Sequence, residues 1–398
     1  MMKRLFFLLT ALLTLSVGMW AQTELNPLPT PASNQIVYRS ADHQKITPNK
    51  TNVFGANIIS NEYDTVADMG TITFSGNVTT IGEYAFNNCT NLISMVCPST
   101  VTSIGKRAFH GCTNLSSVAL QEGLISIGTH AFNGCSALKN VTIPNTLEDI
   151  GEASFNVCIS LVEITVPSTV KNFGNSAFSG CTGLESVTVE INTISAGAFQ
   201  NCTNLSFVDL QEGVISIGNN AFSGCSALKK VTIPSTTKTI GESAFNSCAG
   251  LTVLNVKAGS IGNYAFGDCT SLDSVTLGHG VTSIGNRAFG ACSHLTSVTF
   301  LESFILPGEL FENVGTTQSP VTIKLPSLWP VNDRPVNSTI RWHGGYFTGE
   351  YVDPVKEFLG EMGEPCTDCP AIKVTKGDKS VKLYQPDKVE FIMESEAE

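Results

Sequence analysis

Three features of the chain predict a repeat solenoid of stacked parallel strands. Ten cysteines (Cys89, Cys112, Cys135, Cys158, Cys181, Cys202, Cys225, Cys248, Cys269 and Cys292) follow one another at steps of 23 or 21 residues. A phenylalanine column from Phe86 to Phe289 and an isoleucine column from Ile81 to Ile284, interrupted at Phe173, keep the same phase. Stretches such as Val187-Thr188-Val189 and Val141-Thr142-Ile143 alternate apolar and polar residues, as half-buried strands do. At this period one repeat cannot bury its apolar face alone and must stack on its neighbours. The architecture points to an extended surface rather than a single deep catalytic cleft.

The chain opens with Lys3 and Arg4 before an apolar run over residues 5–17, too short to span a bilayer and suited to the core of an export signal. Cleavage after Ala21 is expected, although Met19 is bulkier than the small residue favoured there. No cysteine follows until Cys89, which argues against a lipid anchor, and no later stretch is apolar enough to span a membrane. The formal charge of −11 becomes more negative once Lys3 and Arg4 are removed. An acidic chain poor in Lys and Arg is a weak candidate for nucleic acid or anionic membranes.

One unit, read from Ile104, is Ile-Gly-x-x-Ala-Phe-x-x-Cys-x-x-Leu-x-x-Val-x-Leu. Stacked Phe supplies large apolar area in every turn, and the Ala before it allows close backbone approach. Stacked strands lie about 4.8 Å apart, so ten turns extend roughly 50 Å. Pro98, Pro144, Pro167 and Pro234 are expected to stop the strands, and Gly82 and Gly105 to supply special backbone angles at a second turn. Ala-Phe-x-x-Cys is expected to form a short helical turn. The two 21-residue units lose two residues just after the strand, so a loop should absorb the deletion. Leu120-Gln121-Glu122-Gly123 recurs as Leu210-Gln211-Glu212-Gly213, an offset of 90 residues. That repetition points to duplication of a four-repeat block, so a feature shared by both blocks carries no functional weight for being shared.

These columns resemble the BspA-like, or treponemal-type, leucine-rich repeats of bacterial cell-surface proteins. The resemblance is strong over residues 66–314. It implies a right-handed, leucine-rich-repeat-like array of ten to eleven repeats of 21–23 residues. Ile36-Val37-Tyr38, Phe54-Gly55-Ala56 and Gly70-Thr71-Ile72-Thr73-Phe74 look like the family's N-terminal cap. Leu306 to Phe311 resembles a degraded eleventh unit with Val314 in the cysteine's place, and Val321 to Leu325 with Trp342-His343-Gly344-Gly345-Tyr346 resembles a C-terminal cap. The expected organisation is a signal peptide over 1–21, an N-terminal cap over 22–65, the solenoid over 66–314, a C-terminal cap over 315–350, a short helix and linker over 351–370, and a small β-rich tail over 371–398. In that tail Ile372 and Val374, then Val381, Leu383 and Tyr384, alternate like a hairpin around Lys376-Gly377-Asp378; Val389, Phe391 and Met393 continue the alternation. Val355, Phe358, Leu359 and Met362 make one face of the preceding helix.

The cysteine ladder invites a disulfide or metal reading, but one cysteine per turn beside Phe and Leu is where a solenoid places small buried residues. Zinc sites want convergent ligands at close spacing, not a ladder. Cys366 and Cys369 stand outside the rhythm, between Pro365 and Pro370. A structural disulfide closing a small loop is the leading reading, with two unpaired thiols as the alternative. A redox-active dithiol is disfavoured, because it belongs at a helix N-terminus in a βαβ context. No His pair has metal-ligand spacing, and no Gly-x-Ser-x-Gly elbow, phosphate loop or acidic calcium loop is present. No catalytic residue, metal site or cofactor is therefore assigned.

Binding is expected on the outward strand positions, which a solenoid presents on its concave sheet. One column there is rich in Thr; the column two places earlier is polar with the exceptions Glu163, Phe207, Lys230 and Val253. Phe207 and Val253 are apolar where neighbours are polar, with Lys230 between them in stacking order. The plainer reading is that Thr suits exposed strands and that scattered apolar residues need no explanation; the sharper one is a contact patch. The resemblance implies an exported, non-enzymatic surface protein, adhesin-like, that recognises host or bacterial surface proteins or glycans. A structural spacer without a ligand, and an enzyme with its site in the caps or tail, are the rival readings. Repeats of this kind specify fold far better than activity.

Overall fold

The computed structural model describes residues 27–301 and 310–314, with strands Val321–Pro326, Ile340–Trp342, Gly345–Val352, Ile372–Lys376 and Lys379–Leu383. The expected export signal, the helix after Asp353, Cys366, Cys369 and the run from Val389 to Met393 lie outside the described residues.

Repeated parallel strands build the molecule. Glu163, Ser186 and Phe207 pair across three successive turns, and Val253, Ser274 and Ser297 across three more. A second ladder of two-residue strands runs from Thr80–Ile81 through Ser103–Ile104, Ser126–Ile127 and Asp149–Ile150 to Asn172–Phe173. Thr193–Ile194, Ser216–Ile217 and Thr239–Ile240 continue it after a break. Between the ladders the Phe, Leu and Cys columns pack into one continuous core. The phenyl rings stack nearly parallel: Phe109 and Phe132 have centroids 5.0 Å apart at 4°, and Phe155 and Phe178 5.0 Å apart at 1°. Each turn thus covers the ring of the one before, which is why the apolar pattern needs no second layer.

The N-terminal end is antiparallel. Strands β1 (Gln35–Ser40), β2 (Ile58–Asp64) and β3 (Met69–Phe74) form a small sheet with β1 at its centre-side edge, paired to β3 and, on its other side, to the first repeat strand Leu92–Val96. Phe54 and Phe74 extend the aromatic column to Phe86, with Phe54 5.1 Å from Phe74 and 5.9 Å from Phe86. At the far end Val321–Pro326 adds in parallel to Ser297–Phe300 and then to Gly345–Val352. Ile372–Lys376 and Lys379–Leu383 form an antiparallel hairpin.

Several local expectations need correction. Ala-Phe-x-x-Cys is not a helical turn. In each turn the residue before Ala and the residue before Cys adopt positive φ, as in Tyr84 (59°) and Asn88 (57°). The left-handed residues reorient the peptides, so N–H groups alternate in direction. Those of Ala85, Asn87 and Cys89 donate within the turn, to Gly82, Tyr84 and Phe86. Those of Tyr84, Phe86 and Asn88 donate along the solenoid, to Lys106, Ala108 and His110 of the next turn. What a helix would satisfy internally is here shared with the neighbouring repeat.

The Ile-Gly glycines also serve differently from the expectation. Gly82 and Gly105 are not in the positive-φ region. A Cβ at Gly105 would lie 2.6 Å from the Glu83 nitrogen, and one at Gly128 would lie 2.7 Å from that of Lys106. Close approach of successive backbones requires glycine, not an unusual angle. Ser195 replaces this glycine, and the second ladder breaks between Asn172–Phe173 and Thr193–Ile194 at that turn, where Phe173 also replaces isoleucine.

Val141 to Ile143 and Val231 to Ile233 keep buried and exposed residues in alternation but are not ladder strands; isolated bridges at Asn140 and Lys230 stand in their place. After several ladder strands the N–H of the next residue donates to the end of the preceding strand, as Glu190 does to Val166 (3.0 Å) and Gln211 to Val189 (3.2 Å). Pro144 and Pro234 hold that position and have no N–H, but so does Pro167 after the ladder strand Glu163–Val166, so the missing donor alone does not account for the interruption. The 21-residue units shorten a loop without moving the core: Phe245 and Phe266 still stack at 5.3 Å. At the second such unit the loop disappears and both ladders merge into one strand, Val253–Ile261.

Candidate interaction surface

The ladder thiols are placed for packing. Cys112 through Cys292 are buried, and each Sγ donates to the carbonyl of the Phe in the preceding turn, as Cys112 does to Phe86 (3.0 Å) and Cys135 to Phe109 (3.1 Å). Burial pushes Cys135 and Cys292 up to about 12 and the half-buried Cys89 up to about 11. A nucleophile or metal ligand must be a thiolate, so these groups are chemically quiet near neutral pH. All described cysteines are free thiols, and no group of three His, Cys, Asp or Glu side chains among the described residues could hold a metal. A cavity of about 10 Å³ between Cys97, Val101, Ile104, Ala119 and Leu124 has room for about one water.

The strand ladder carries the outward side chains. Beneath it Ile164, Val208, Val231 and Leu254 point into the core. Glu163, Phe207, Lys230 and Val253 are all exposed, Phe207 at 58% and Val253 at 46%. They occupy one column over five successive turns, with Ser186 between Glu163 and Phe207. Lys230 bridges directly to Val253. Phe207 lies one turn before Lys230 without ladder pairing to it, since the three-stranded sheet ends at Phe207–Leu210. At about 4.8 Å per turn the column from Glu163 to Val253 extends roughly 19 Å. In the neighbouring column Asp209 accepts a hydrogen bond from Gln211 Nε2 at 2.6 Å, while Thr232 and Asn255 are exposed. The result is a strip of apolar, charged and hydroxyl-bearing side chains.

A second group of exposed apolar residues was missed in the sequence. Val157, Ile159 and Val162 sit in one turn at 43%, 44% and 40% exposure. Their columns carry mainly Gly, Asn or Ser, then Thr or Ser, then polar residues in other turns, so a comparison column by column contains the signal.

The model of the BspA-type leucine-rich repeat region matches in six copies, over residues 56–185 and 192–317. The crystal structure of a leucine-rich repeat protein from T. pallidum is similar at 35% identity, covering 39% of this chain and 74% of that one, with a TM-score of 0.38. A leucine-rich cell surface protein from Faecalibacterium prausnitzii is similar at 23% identity over 83% of this chain and 97% of that one, with a TM-score of 0.43. A leucine-rich repeat protein from Bacteroides ovatus is similar at 23% identity over 70% and 88% of the two chains, with a TM-score of 0.40. No curated protein matches.

Proposed function

The chain belongs to the BspA-type leucine-rich repeat family, and on that premise we propose that it is an exported surface protein that holds a protein or glycan partner on the outward face of its strand ladder, in the manner of an adhesin. A leucine-rich solenoid is typically a binding scaffold and not an enzyme. The observation that carries this reading is the exposed strip around Phe207, Lys230 and Val253. A side chain as large as Phe207, left 58% exposed on a strand column that is polar apart from it and Val253, is an anchor suited to a partner's apolar pocket. Lys230 adds a cation beside Val253. Export rests on Lys3, Arg4 and the apolar run that follows them. No helix among the described residues is long and apolar enough to cross a membrane.

The test is a panel of host matrix proteins, bacterial surface proteins and surface glycans, probed with the full chain and with a Phe207→Ser, Lys230→Glu, Val253→Ser triple variant. At least one panel member should bind the native chain and bind the variant about tenfold more weakly or worse. A panel with no saturable binding, or a triple variant that binds as well as the native chain, overturns the assignment of this face.

A further inference from the structure

The array contains the same aromatic–guanidinium pair twice. Tyr264 precedes Ala265-Phe266, and Arg287 precedes Ala288-Phe289 one turn later; Tyr84 and Arg107 hold the equivalent places before Ala85-Phe86 and Ala108-Phe109. In both copies the guanidinium lies over the ring, 5.8 Å from the Tyr264 centroid and 6.0 Å from that of Tyr84. The surroundings then differ. Arg287 meets a carboxylate from the following turn, with Nε 2.6 Å from Glu312 Oε2 and Nη2 3.2 Å from Glu312 Oε1, a two-pronged pair. Glu312 directly follows Phe311; the residue that follows Phe132 in the first copy is Asn133, whose Nδ2 donates to Asn156 Oδ1 at 3.1 Å. No carboxylate comes to Arg107, and its Nε is shielded from solvent without a hydrogen-bond partner.

One more cation and two imidazoles lie nearby. Lys50 arrives from the segment between β1 and β2 and places Nζ 5.0 Å from the Tyr84 centroid, on the ring that Arg107 also faces. His110 lies beside Arg107 and His130, and Nδ1 of each imidazole is buried without a partner. Arg39, Lys45, Lys171 and Arg287 are paired with carboxylates, whereas Lys50, Arg107, His110 and His130 have none among the described residues. In a chain of net charge −11, Lys50 and Arg107 meet on one tyrosine ring without a carboxylate beside them among the described residues.

We propose that Arg107, with Lys50, binds a carboxylate of an acidic peptide segment, as Arg287 binds the Glu312 side chain. The internal template supplies the chemistry: a glutamate from a neighbouring turn pairs with Arg287, and a partner's glutamate would pair with the Nη groups of Arg107, whose Nε is shielded from solvent. The site is on the turn edge, apart from the strand face that carries Phe207, and does not depend on that face for its chemistry.

The experiment titrates the full chain with an acetylated hexaglutamate amide and, separately, with polygalacturonate, at about 0.15 M salt, where exposed charges are screened beyond about 8 Å. Hexaglutamate should bind saturably, and Arg107→Gln and Lys50→Ala should each weaken it about tenfold. Asn133→Glu supplies the missing internal carboxylate; it should weaken the peptide as strongly as Arg107→Gln while leaving the fold at least as stable, a result that loss of folding does not produce. The Phe207, Lys230, Val253 triple variant should bind hexaglutamate as the native chain does, which separates this site from the strand face. Equal affinity in the native chain, Arg107→Gln and Asn133→Glu overturns the proposal, as does the absence of saturable hexaglutamate binding. Binding of polygalacturonate without hexaglutamate overturns the peptide as occupant.

Discussion

The thiol of Cys225 donates a hydrogen bond to the carbonyl of Phe199, one turn back, at 3.3 Å. Repeated in nine turns from Cys112 to Cys292, this contact makes the cysteine column both a small apolar filler and a buried donor. Cys225→Ala keeps the size and removes the donor, so it should destabilise the array by about 1 kcal/mol, read from the urea midpoint. Alkylation supplies the second check. Burial holds Cys225 well above its ordinary value, so its thiolate is scarce at pH 8. The native ladder should resist iodoacetamide there and react only when urea opens it.

The parallel Phe stack predicts where a truncation hurts most. Phe155 lies 5.1 Å from Phe132 and 5.0 Å from Phe178, fully buried on both faces. Phe155→Ala should cost about 3–5 kcal/mol. Because each repeat leans only on its neighbours, native-state hydrogen exchange should rise mainly in the turns that flank Phe155.

Val157 is a β-branched residue held at a φ of 58°, in a column where Gly111, Gly134 and Gly180 occupy the same place. The left-handed region disfavours such side chains. Val157→Gly should stabilise the chain by about 1 kcal/mol, measured by chemical denaturation. Unchanged or lower stability would show that packing of the exposed valine offsets the strain.

Asp68 ties the N-terminal sheet together. Tyr63 Oη donates to its Oδ1 at 2.7 Å, His43 Nδ1 is 2.7 Å from the same oxygen, and Arg39 Nε is 3.7 Å from Oδ2. The Tyr63 hydrogen bond, then that of His43, lowers the carboxyl below its ordinary value of 3.8. A depressed acid stabilises the fold above its unfolded value and loses that contribution as pH falls through the folded one. Asp68→Asn should therefore lower the Tm at pH 7, and the gap from the native chain should close as the pH is taken below 3.8. A gap that persists in acid would mean that packing, not charge, sets the effect.

Much of the solenoid was legible because its core is periodic. A column such as Phe86 to Phe289 must be buried in every turn, and spacing alone reveals it. The outward positions of Glu163, Phe207, Lys230 and Val253 followed from strand alternation, and each is exposed. What escaped notice depends on backbone direction. Nothing in Glu83-Tyr84-Ala85 advertises a left-handed tyrosine, since the same column holds Arg107, His130 and Ser176 at positive φ. The ladder strand missing from Val141 to Ile143 was not readable, because its side-chain alternation and following proline are the same as those of the ladder strand Glu163–Val166.

The order of residues alone settled how many turns stack and which side chains they bury, because a 21–23-residue period leaves each apolar face only its neighbours to cover it. Only the folded chain decided which distant groups meet. Lys50 reaches Tyr84 because the segment after β1 packs along the first turn, and Glu312 reaches Arg287 because a degenerate last repeat still stacks. Those encounters are set by how the ends dock on the array, and no period in the sequence encodes them.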